Sequence, residues 1–140
     1  MKIDVPEKPA FTTEIPVRIT DLNYGGHVGN DKVLSLIHEA RIQCLRGAGY
    51  SEMNFAGTGL IMADVAIIFK KELFYGDVVT ASVWLADFST VGFNFYYRLE
   101  KKEAGKIVLV ATARSGMVCY DYKGKKISAV PPAALLQFGV

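Results

Sequence analysis

The chain has 140 residues and a mass of 15.4 kDa, with 51% hydrophobic and 21% charged residues. This length suits one domain with a substantial core, and the hydrophobic content excludes an intrinsically disordered protein. The net charge of +2 is too small to indicate a nucleic-acid-binding protein. We therefore expect a single domain over residues 1–140.

The sequence shows neither a targeting signal nor a membrane segment. Its first residues, MKIDVPEKPAF, lack the apolar stretch of a signal peptide, and no apolar run approaches the roughly 18 residues of a membrane helix. Cys44 and Cys119 share no metal-like spacing and lie in apolar runs, which predicts buried free thiols and suits a reducing compartment. We expect a cytoplasmic protein without nucleic-acid or membrane partners.

Residues 11–21, FTTEIPVRITD, predict the first strand. Ile15, Val17 and Ile19 alternate along it and would share one face. Pro16 indicates an edge strand or an irregular start, because proline cannot donate a backbone hydrogen bond.

A long helix is predicted after the glycine-rich stretch that follows this strand. Asn30 or Asp31 can cap it, and it runs to about Leu45 or Arg46 before the glycines of GAGY, residues 47–50, stop it. Its apolar face, at helical spacing, consists of Val33, Leu36, Ile37, Ala40 and Cys44.

The second half of the chain predicts a sheet. Segments rich in β-branched and aromatic residues cover 60–69, 77–88, 92–102 and 107–122, and a proline-opened segment at 131–138 predicts a short terminal helix. The last three strands are joined by short links, which favours an antiparallel meander. One long helix cannot cover both faces of such a sheet, so we expect an α+β fold whose remaining face or edge meets another subunit.

The segment DLNYGGHVGN, residues 21–30, is the strongest indication of a functional site. Its glycines allow a sharp turn and close approach to a ligand, and it leads into a helix N-terminus, where unpaired N–H groups stabilise an oxyanion. Asn23, His27 and Asn30 can hold a water or a carbonyl oxygen. These features suit acyl chemistry, although their spacing alone also describes a glycine-rich loop before a capped helix.

Residues 18–41, RITDLNYGGHVGNDKVLSLIHEAR, resemble the signature of hotdog-fold thioesterases of the 4-hydroxybenzoyl-CoA thioesterase type. That signature runs D-x-D-x-x-G-H-V-N-N and continues into a helix ending in E-x-A-R or E-E-A-R. Segments 67–79, IIFKKELFYGDVV, and 116–131, GMVCYDYKGKKISAVP, resemble the family's later strand and its closing segment. The resemblance covers nearly the whole chain in matching order.

This resemblance implies a long helix wrapped by a curved antiparallel sheet of about five strands. Two subunits of this family form a dimer with a continuous sheet, often paired again into a tetramer, and the active sites lie at the dimer interface. The implied substrate is a thioester of coenzyme A or acyl-carrier protein. No metal or other cofactor is implied.

Two aspartates of the family signature fall on Asp21 and Asn23. The second is the catalytic carboxylate in the best-studied branch, and an amide at Asn23 cannot take a proton near neutral pH. Asp21 is either a base or a residue that caps the turn through the backbone.

The remainder of the motif is matched by Gly26 and His27, by Gly29 in place of the first asparagine, and by Asn30 at the second. The resemblance places the carbonyl-polarising N–H near Asn30. His27 either acts on the substrate or orders the loop.

Another branch of the family carries its carboxylate on the helix, about eight residues beyond that N–H, which corresponds to His38 with Glu39 beside it. His38 can act as a general base, or it is a core or interface histidine; Glu39 is a base candidate or a solvated helix residue.

Asp64 interrupts the apolar run LIMADVAIIF, where an unpaired carboxylate is unfavourable, and is a further substrate-site candidate contributed by a partner's strand. The basic pairs that can meet coenzyme A phosphates, or simply lie at solvated strand ends, are Lys70–Lys71, Lys101–Lys102 and Lys125–Lys126.

The expected function is acyl-thioester hydrolysis. The helix N-terminus near Asn30 would bind the carbonyl oxygen, and Asn23 and His27 would position water. The base that activates this water is expected among His38, Glu39 and Asp21.

Two alternatives remain open. A protein that binds an acyl thioester without turnover is favoured by Asn23. An enoyl-thioester hydratase is suggested by the D-x-N of DLNYGGH, which resembles D-x-N-P-x-H, but Tyr24 replaces the proline and His27 falls one residue late.

Overall fold

The computed structural model describes residues 2–139, which form an antiparallel sheet and two helices. The helices are α1 (Asn30–Gly47) and α2 (Pro132–Phe138). The strands are β1 (Phe11–Pro16), β2 (Gly59–Phe69), β3 (Val78–Ala86), β4 (Gly92–Glu103), β5 (Lys106–Asp121) and β6 (Lys126–Ile127). The strand order is β1-β3-β4-β5-β2, with the short β6 beside β5.

The predicted meander is confirmed, since β3, β4 and β5 pair antiparallel in succession. β2 pairs with β5 and occupies one edge of the sheet, and β1 pairs with β3 at the other. The order of helix and strands therefore gives the α+β architecture expected from the sequence.

The core lies between α1 and one face of the sheet. The predicted apolar face of α1 is buried, and the sheet contributes the period-two row Phe93, Phe95 and Tyr97 from β4. Cys44 and Cys119 are buried free thiols, as predicted, and burial raises the pKa of each to about 11. Burial keeps both thiols protonated at neutral pH, so neither is a nucleophile.

The first strand is shorter than predicted. β1 ends at Pro16 because its partner β3 begins opposite it, at Val78. The chain then turns through a 3₁₀ turn, Ile19–Asp21, which leaves Ile19 68% exposed. The prediction that Ile19 shares the buried face of Ile15 and Val17 was wrong, because the alternation of a strand lasts only as long as its ladder.

Helix α1 begins at Asn30, with Gly29 as its N-cap, so the predicted capping by Asn30 or Asp31 was wrong. No side chain among the described residues caps this end. At the other end the predicted glycine stop is confirmed, because Gly49 has φ +82° and the Tyr50 N–H donates to the Leu45 carbonyl at 2.8 Å. Neither helix of residues 2–139 has the length and apolar character needed to cross a membrane.

Candidate functional site

The segment before α1 is a tight, hydrogen-bonded turn. The Asn23 N–H donates to the His27 carbonyl at 2.8 Å, and the Gly26 N–H donates to the Asn23 carbonyl at 3.1 Å. Gly26 has φ +84°, a left-handed conformation that favours glycine. The Asn23 side-chain oxygen accepts the Gly25 N–H at 2.8 Å, so this amide closes the turn in the manner of an Asx-turn.

His27 packs against the connection between β2 and β3. Its Nε2 lies 3.8 Å from Glu72 Oε1, and its ring meets Phe74 edge-on at 6.5 Å between centroids. The next residue is fixed to the same connection, because the Val28 N–H donates to the Leu73 carbonyl at 2.8 Å. The histidine is therefore held from one side while about a third of its side chain, 34%, is exposed.

The N-terminus of α1 presents backbone donors beside this turn. The N–H groups of Lys32 and Val33 both donate to the Gly29 carbonyl, at 3.0 and 3.2 Å. These are the first hydrogen bonds of the helix, so the N–H groups of Asn30 and Asp31, which precede them, have no acceptor within the helix. Because no side chain caps the helix here, these donors and the positive end of the dipole are suited to a developing oxyanion.

A cavity of about 260 Å³ lies between the turn, the start of α1 and the end of β2. Its lining includes His27, Asn30 and Glu72, together with the basic pair Lys70–Lys71. The structure thus brings two of the predicted site residues, His27 and Asn30, to one cavity with cationic side chains beside them.

A second cavity, of about 430 Å³, runs along the outer side of α1 beside β1. It is lined by three other predicted residues, Asp21, His38 and Glu39. His27 and Asn30 therefore lie at the N-terminus of α1, whereas His38 and Glu39 lie two turns further along it, with Asp21 beside them.

Asp21 and Glu39 have local structural partners. Asp21 is buried at 3% exposure, and its Oδ2 accepts the Arg18 N–H at 2.8 Å, which closes the 3₁₀ turn. Glu39 accepts a hydrogen bond from Gln43 one helical turn away, at 2.6 Å. Both contacts match the structural alternatives weighed for these residues.

His38 has a partner that sequence reasoning missed. Its Nε2 lies 2.9 Å from Glu52 Oε1, and the other carboxylate oxygen, Oε2, accepts the Arg41 Nε–H at 2.8 Å. Burial of Glu52 raises the pKa of its carboxyl, but the hydrogen bonds from His38 and Arg41 outweigh this, and the net pKa is lowered. The carboxylate is therefore ionised at neutral pH and fixed between a histidine and a guanidinium.

The hydrogen bonds of Arg41 extend this group of polar side chains into the core. The Arg41 Nη1–H donates to the Tyr97 hydroxyl at 3.1 Å, and that hydroxyl is 2.7 Å from Ser115 Oγ. Burial is the main reason that the pKa of Tyr97 is raised, so the phenol stays neutral. Arg41 is only 4% exposed. A buried arginine on a helix face needs a carboxylate from elsewhere in the fold, so Arg41 was the residue from which a partner such as Glu52 could have been predicted.

Asp64 lines neither of these two cavities but a separate one of about 230 Å³, together with Arg114. Its Oδ1 accepts hydrogen bonds from Arg114 Nη1 at 3.0 Å and from the Gly116 N–H at 3.1 Å, on the sheet face opposite α1. The Arg114 hydrogen bond is the main cause that lowers the pKa of this exposed carboxyl. Its place in the apolar run is thus explained by pairing and exposure.

Residues 17–138 match the sequence model of the thioesterase-like superfamily. The chain belongs to this family. Among its relatives, this thioesterase-like chain is 29% identical over 119 residues to a Bacillus subtilis protein named "Putative acyl-CoA thioesterase YneP", with 81% of each chain covered.

Solved thioesterases share the fold of this thioesterase-like protein. A 1,4-dihydroxy-2-naphthoyl-CoA thioesterase from Synechocystis superposes with a TM-score of 0.81 at 23% identity, covering 92% of this chain and 95% of the other. The 4-hydroxybenzoyl-CoA thioesterase from Pseudomonas gives 0.79 at 17% identity, covering 91% and 97%. The hotdog fold predicted from the sequence is confirmed.

Proposed function

We propose that the protein hydrolyses acyl thioesters, with coenzyme A or an acyl-carrier protein as the thiol. The observation that carries this proposal is the uncapped N-terminus of α1 beside the His27 turn and the cavity they share. The names of the relatives support acyl-CoA substrates, and Lys70–Lys71 at the same cavity supplies cations suited to coenzyme A phosphates.

In this mechanism the thioester carbonyl oxygen accepts hydrogen bonds from the first N–H groups of α1. Water attacks the carbonyl carbon while a general base removes its proton, and negative charge develops on the oxygen held at the helix end. The tetrahedral intermediate then collapses, the C–S bond breaks, and the thiolate leaves with a proton as the free thiol. The products are a carboxylic acid and coenzyme A or the carrier thiol.

The base that the geometry favours is His38. Glu52 accepts the Nε2–H, so Nδ1 carries the lone pair that takes a proton from water. Asp21 is buried in its turn and unsuited to meet a water molecule, whereas Glu39 is exposed and remains the second candidate on the helix.

Geometry also favours a site shared between two copies. His38 lies eight residues beyond Asn30 in α1, about 12 Å along the axis, which is too far for both to act on one carbonyl from the same chain. A base on one subunit and helix N–H donors on the other satisfy both contacts. We therefore infer that the active unit is a homodimer or a homotetramer built from such dimers.

The free edge of β2 is suited to form this dimer. β2 is an edge strand of the sheet, and it carries the exposed apolar residues Ile61, Met62 and Val65. An unpaired, apolar strand edge is an unfavourable surface in a monomer, and antiparallel pairing with a second copy would cover it and extend the sheet. This matches the continuous sheet that the family resemblance implies.

The test is a thiol-release assay across aliphatic and aromatic acyl-CoA and acyl-carrier-protein substrates, with wild type, His38→Ala and Glu39→Ala. We expect thiol release by wild type and a loss of about 10²- to 10⁴-fold in kcat for His38→Ala, because a general base contributes that much. Glu39→Ala tests the second candidate: it should keep its activity when His38 is the base, and a loss in Glu39→Ala alone would assign the base to Glu39. Full activity in both variants would remove the base from the helix.

Binding without turnover is the second candidate, because Asn23 falls on the second aspartate of the family signature that the sequence resembles, and its oxygen accepts the Gly25 N–H. The same assay separates the two functions. Tight binding of an acyl-CoA in calorimetry, with no thiol release from any substrate of the panel, would establish the binding protein and exclude the hydrolase.

A further inference from the structure

Lys101 is a buried lysine at the end of the core-facing row of β4. The row runs with period two through Phe93, Phe95, Tyr97 and Leu99, and Lys101 is the next member, with only 5% of its surface exposed. A charged group is unfavourable at such a position unless it is paired. Its burial makes Lys101 unsuited to the coenzyme A phosphates for which the pair Lys101–Lys102 was a candidate.

The ammonium group of Lys101 connects both ends of the segment between β2 and β3. Nζ donates to the Glu72 carbonyl at 2.8 Å and to Asp77 Oδ2 at 3.0 Å, with Glu103 Oε2 at 3.5 Å. It also lies 5.3 Å from the centroid of the Phe74 ring, on its face. This one cation thus contacts the first and last residues of the stretch 72–77, and Phe74 between them.

The same segment is the wall against which His27 packs. Glu72 supplies the carboxylate near the imidazole, Leu73 accepts the backbone N–H of the residue after His27, and Phe74 meets the ring edge-on. Phe74 is therefore in contact with Lys101 on one side and with His27 on another.

We propose that Lys101 is the positioning residue for His27, acting through residues 72–77. This inference rests on the proposed function and on the expectation that His27, at the cavity beside the N-terminus of α1, positions the attacking water. Lys101 does not touch the cavity lined by His27 and Asn30; it fixes the segment that sets the orientation of the imidazole. Removing the cation takes one donor from the Glu72 carbonyl and leaves the Asp77 carboxylate with the Phe74 N–H at 2.9 Å, so the segment is held less firmly against β4.

The experiment reads the His27 imidazole directly by NMR. The chain has two histidines, so the loss of signals in His27→Ala assigns His27, and His38 serves as an internal reference. In Lys101→Met, which keeps the length of the side chain without the charge, we expect the His27 signals to shift or broaden while the His38 signals stay in place. Lys106→Met is the matched control, because it removes an exposed lysine from the same β4–β5 hairpin.

Kinetics provide the second measurement. In Lys101→Met we expect kcat to fall by about tenfold or more with KM little changed, since small displacements of a reacting group lower the rate more than binding. Lys101→Arg, which retains a cation, should recover part of the loss. A folded Lys101→Met protein with unchanged His27 signals and unchanged kcat would overturn the proposal.

If Lys101→Met does not fold, Asp77→Asn tests the same contact from its other end, because it removes the charge that faces Nζ at 3.0 Å. Unchanged His27 signals in a folded Asp77→Asn protein would count against the proposal. Full activity of His27→Ala, combined with shifted His27 signals in Lys101→Met, would leave the positioning by Lys101 intact and remove His27 from the proposed mechanism.

Discussion

Arg41 and Glu52 illustrate how single residues link the stability of this protein to its candidate site. The guanidinium is almost fully buried, with Glu52 on one side and Tyr97 on the other, and the same carboxylate meets His38. Replacing one member of such a group leaves the others unpaired in a poorly solvated place. The orientation of His38 and the packing of α1 therefore depend on one carboxylate.

Glu52→Gln is expected to lower the free energy of unfolding by about 2 kcal/mol at pH 7, less than for a fully buried pair because Glu52 is partly exposed. The folded-state pKa of Glu52 is lowered, so its ion pairs stabilise the protein above the unfolded value near 4.5 and lose their effect as the pH falls through the folded value. The difference between wild type and variant should therefore shrink at acidic pH.

Urea unfolding at pH 7 and at pH 3 measures this difference. Glu39→Gln is the control, because that exposed glutamate has only a local helical partner and its replacement should change the unfolding free energy by less than about 0.5 kcal/mol. Equal stability of wild type and Glu52→Gln at pH 7 would show that the buried arginine does not need this carboxylate.

At the scale of elements, the N-terminus of α1 lacks a side-chain cap, which costs helix stability and leaves its N–H groups to the proposed thioester carbonyl. Gly29 has the extended backbone of an N-cap, φ −69° and ψ 157°, but offers no side-chain oxygen to the helix. A serine would supply that oxygen, because Ser is a favoured N-cap. An added Cβ would come within 2.7 Å of Asp31 Oδ1, so the Asp31 carboxylate has to move aside, but it would meet no backbone atom.

Gly29→Ser is therefore expected to raise the free energy of unfolding by a few tenths of a kcal/mol, about the difference between Gly and Ser caps, while kcat falls. The serine oxygen would occupy the N–H donors that the mechanism assigns to the thioester carbonyl. Thermal unfolding and the thiol-release assay on the same preparations measure the two effects.

The control for this element is Gly29→Ala, which adds the Cβ without the oxygen. Both variants losing kcat equally would indicate that bulk at residue 29 matters and that the helix N–H groups are not the oxyanion donors.

At the scale of the whole molecule, the exposed edge of β2 makes assembly testable. Ile61→Lys places a charge on the strand edge where we propose that a second copy pairs, and charged side chains on edge strands oppose such pairing. We expect the mass in solution to fall to that of the 15.4 kDa chain, with loss of thiol release, because the two halves of the site separate.

Sedimentation velocity and the thiol-release assay measure this effect. Ile107→Lys is the matched control, since Ile107 is also an exposed isoleucine, 67% accessible, but lies near the β4–β5 hairpin. A monomeric and fully active Ile61→Lys protein would contradict the shared site.

Much of the architecture follows from local patterns along the chain. The bounds of β2 to β5 and of α1 were predicted to within about two residues, because each element has a strong period and is bounded by glycine or short polar links. The motif DLNYGGHVGN likewise located the turn beside the helix N-terminus. Glycines, a histidine and a helix start are neighbours in sequence, so their proximity needs no tertiary information.

Other features depend on contacts between residues far apart in sequence, and only the tertiary structure decided them. β1 ends at Pro16 because its partner β3 begins opposite it, at Val78. Glu52 meets His38 because a loop folds back on α1, and Lys101 is buried because β4 packs against the β2–β3 segment. The sequence by itself determined the order of elements and the turn at which we propose the site, since these arise from hydrophobic period and local backbone chemistry. The partners of each charged side chain are set by packing between distant segments, which no local pattern records.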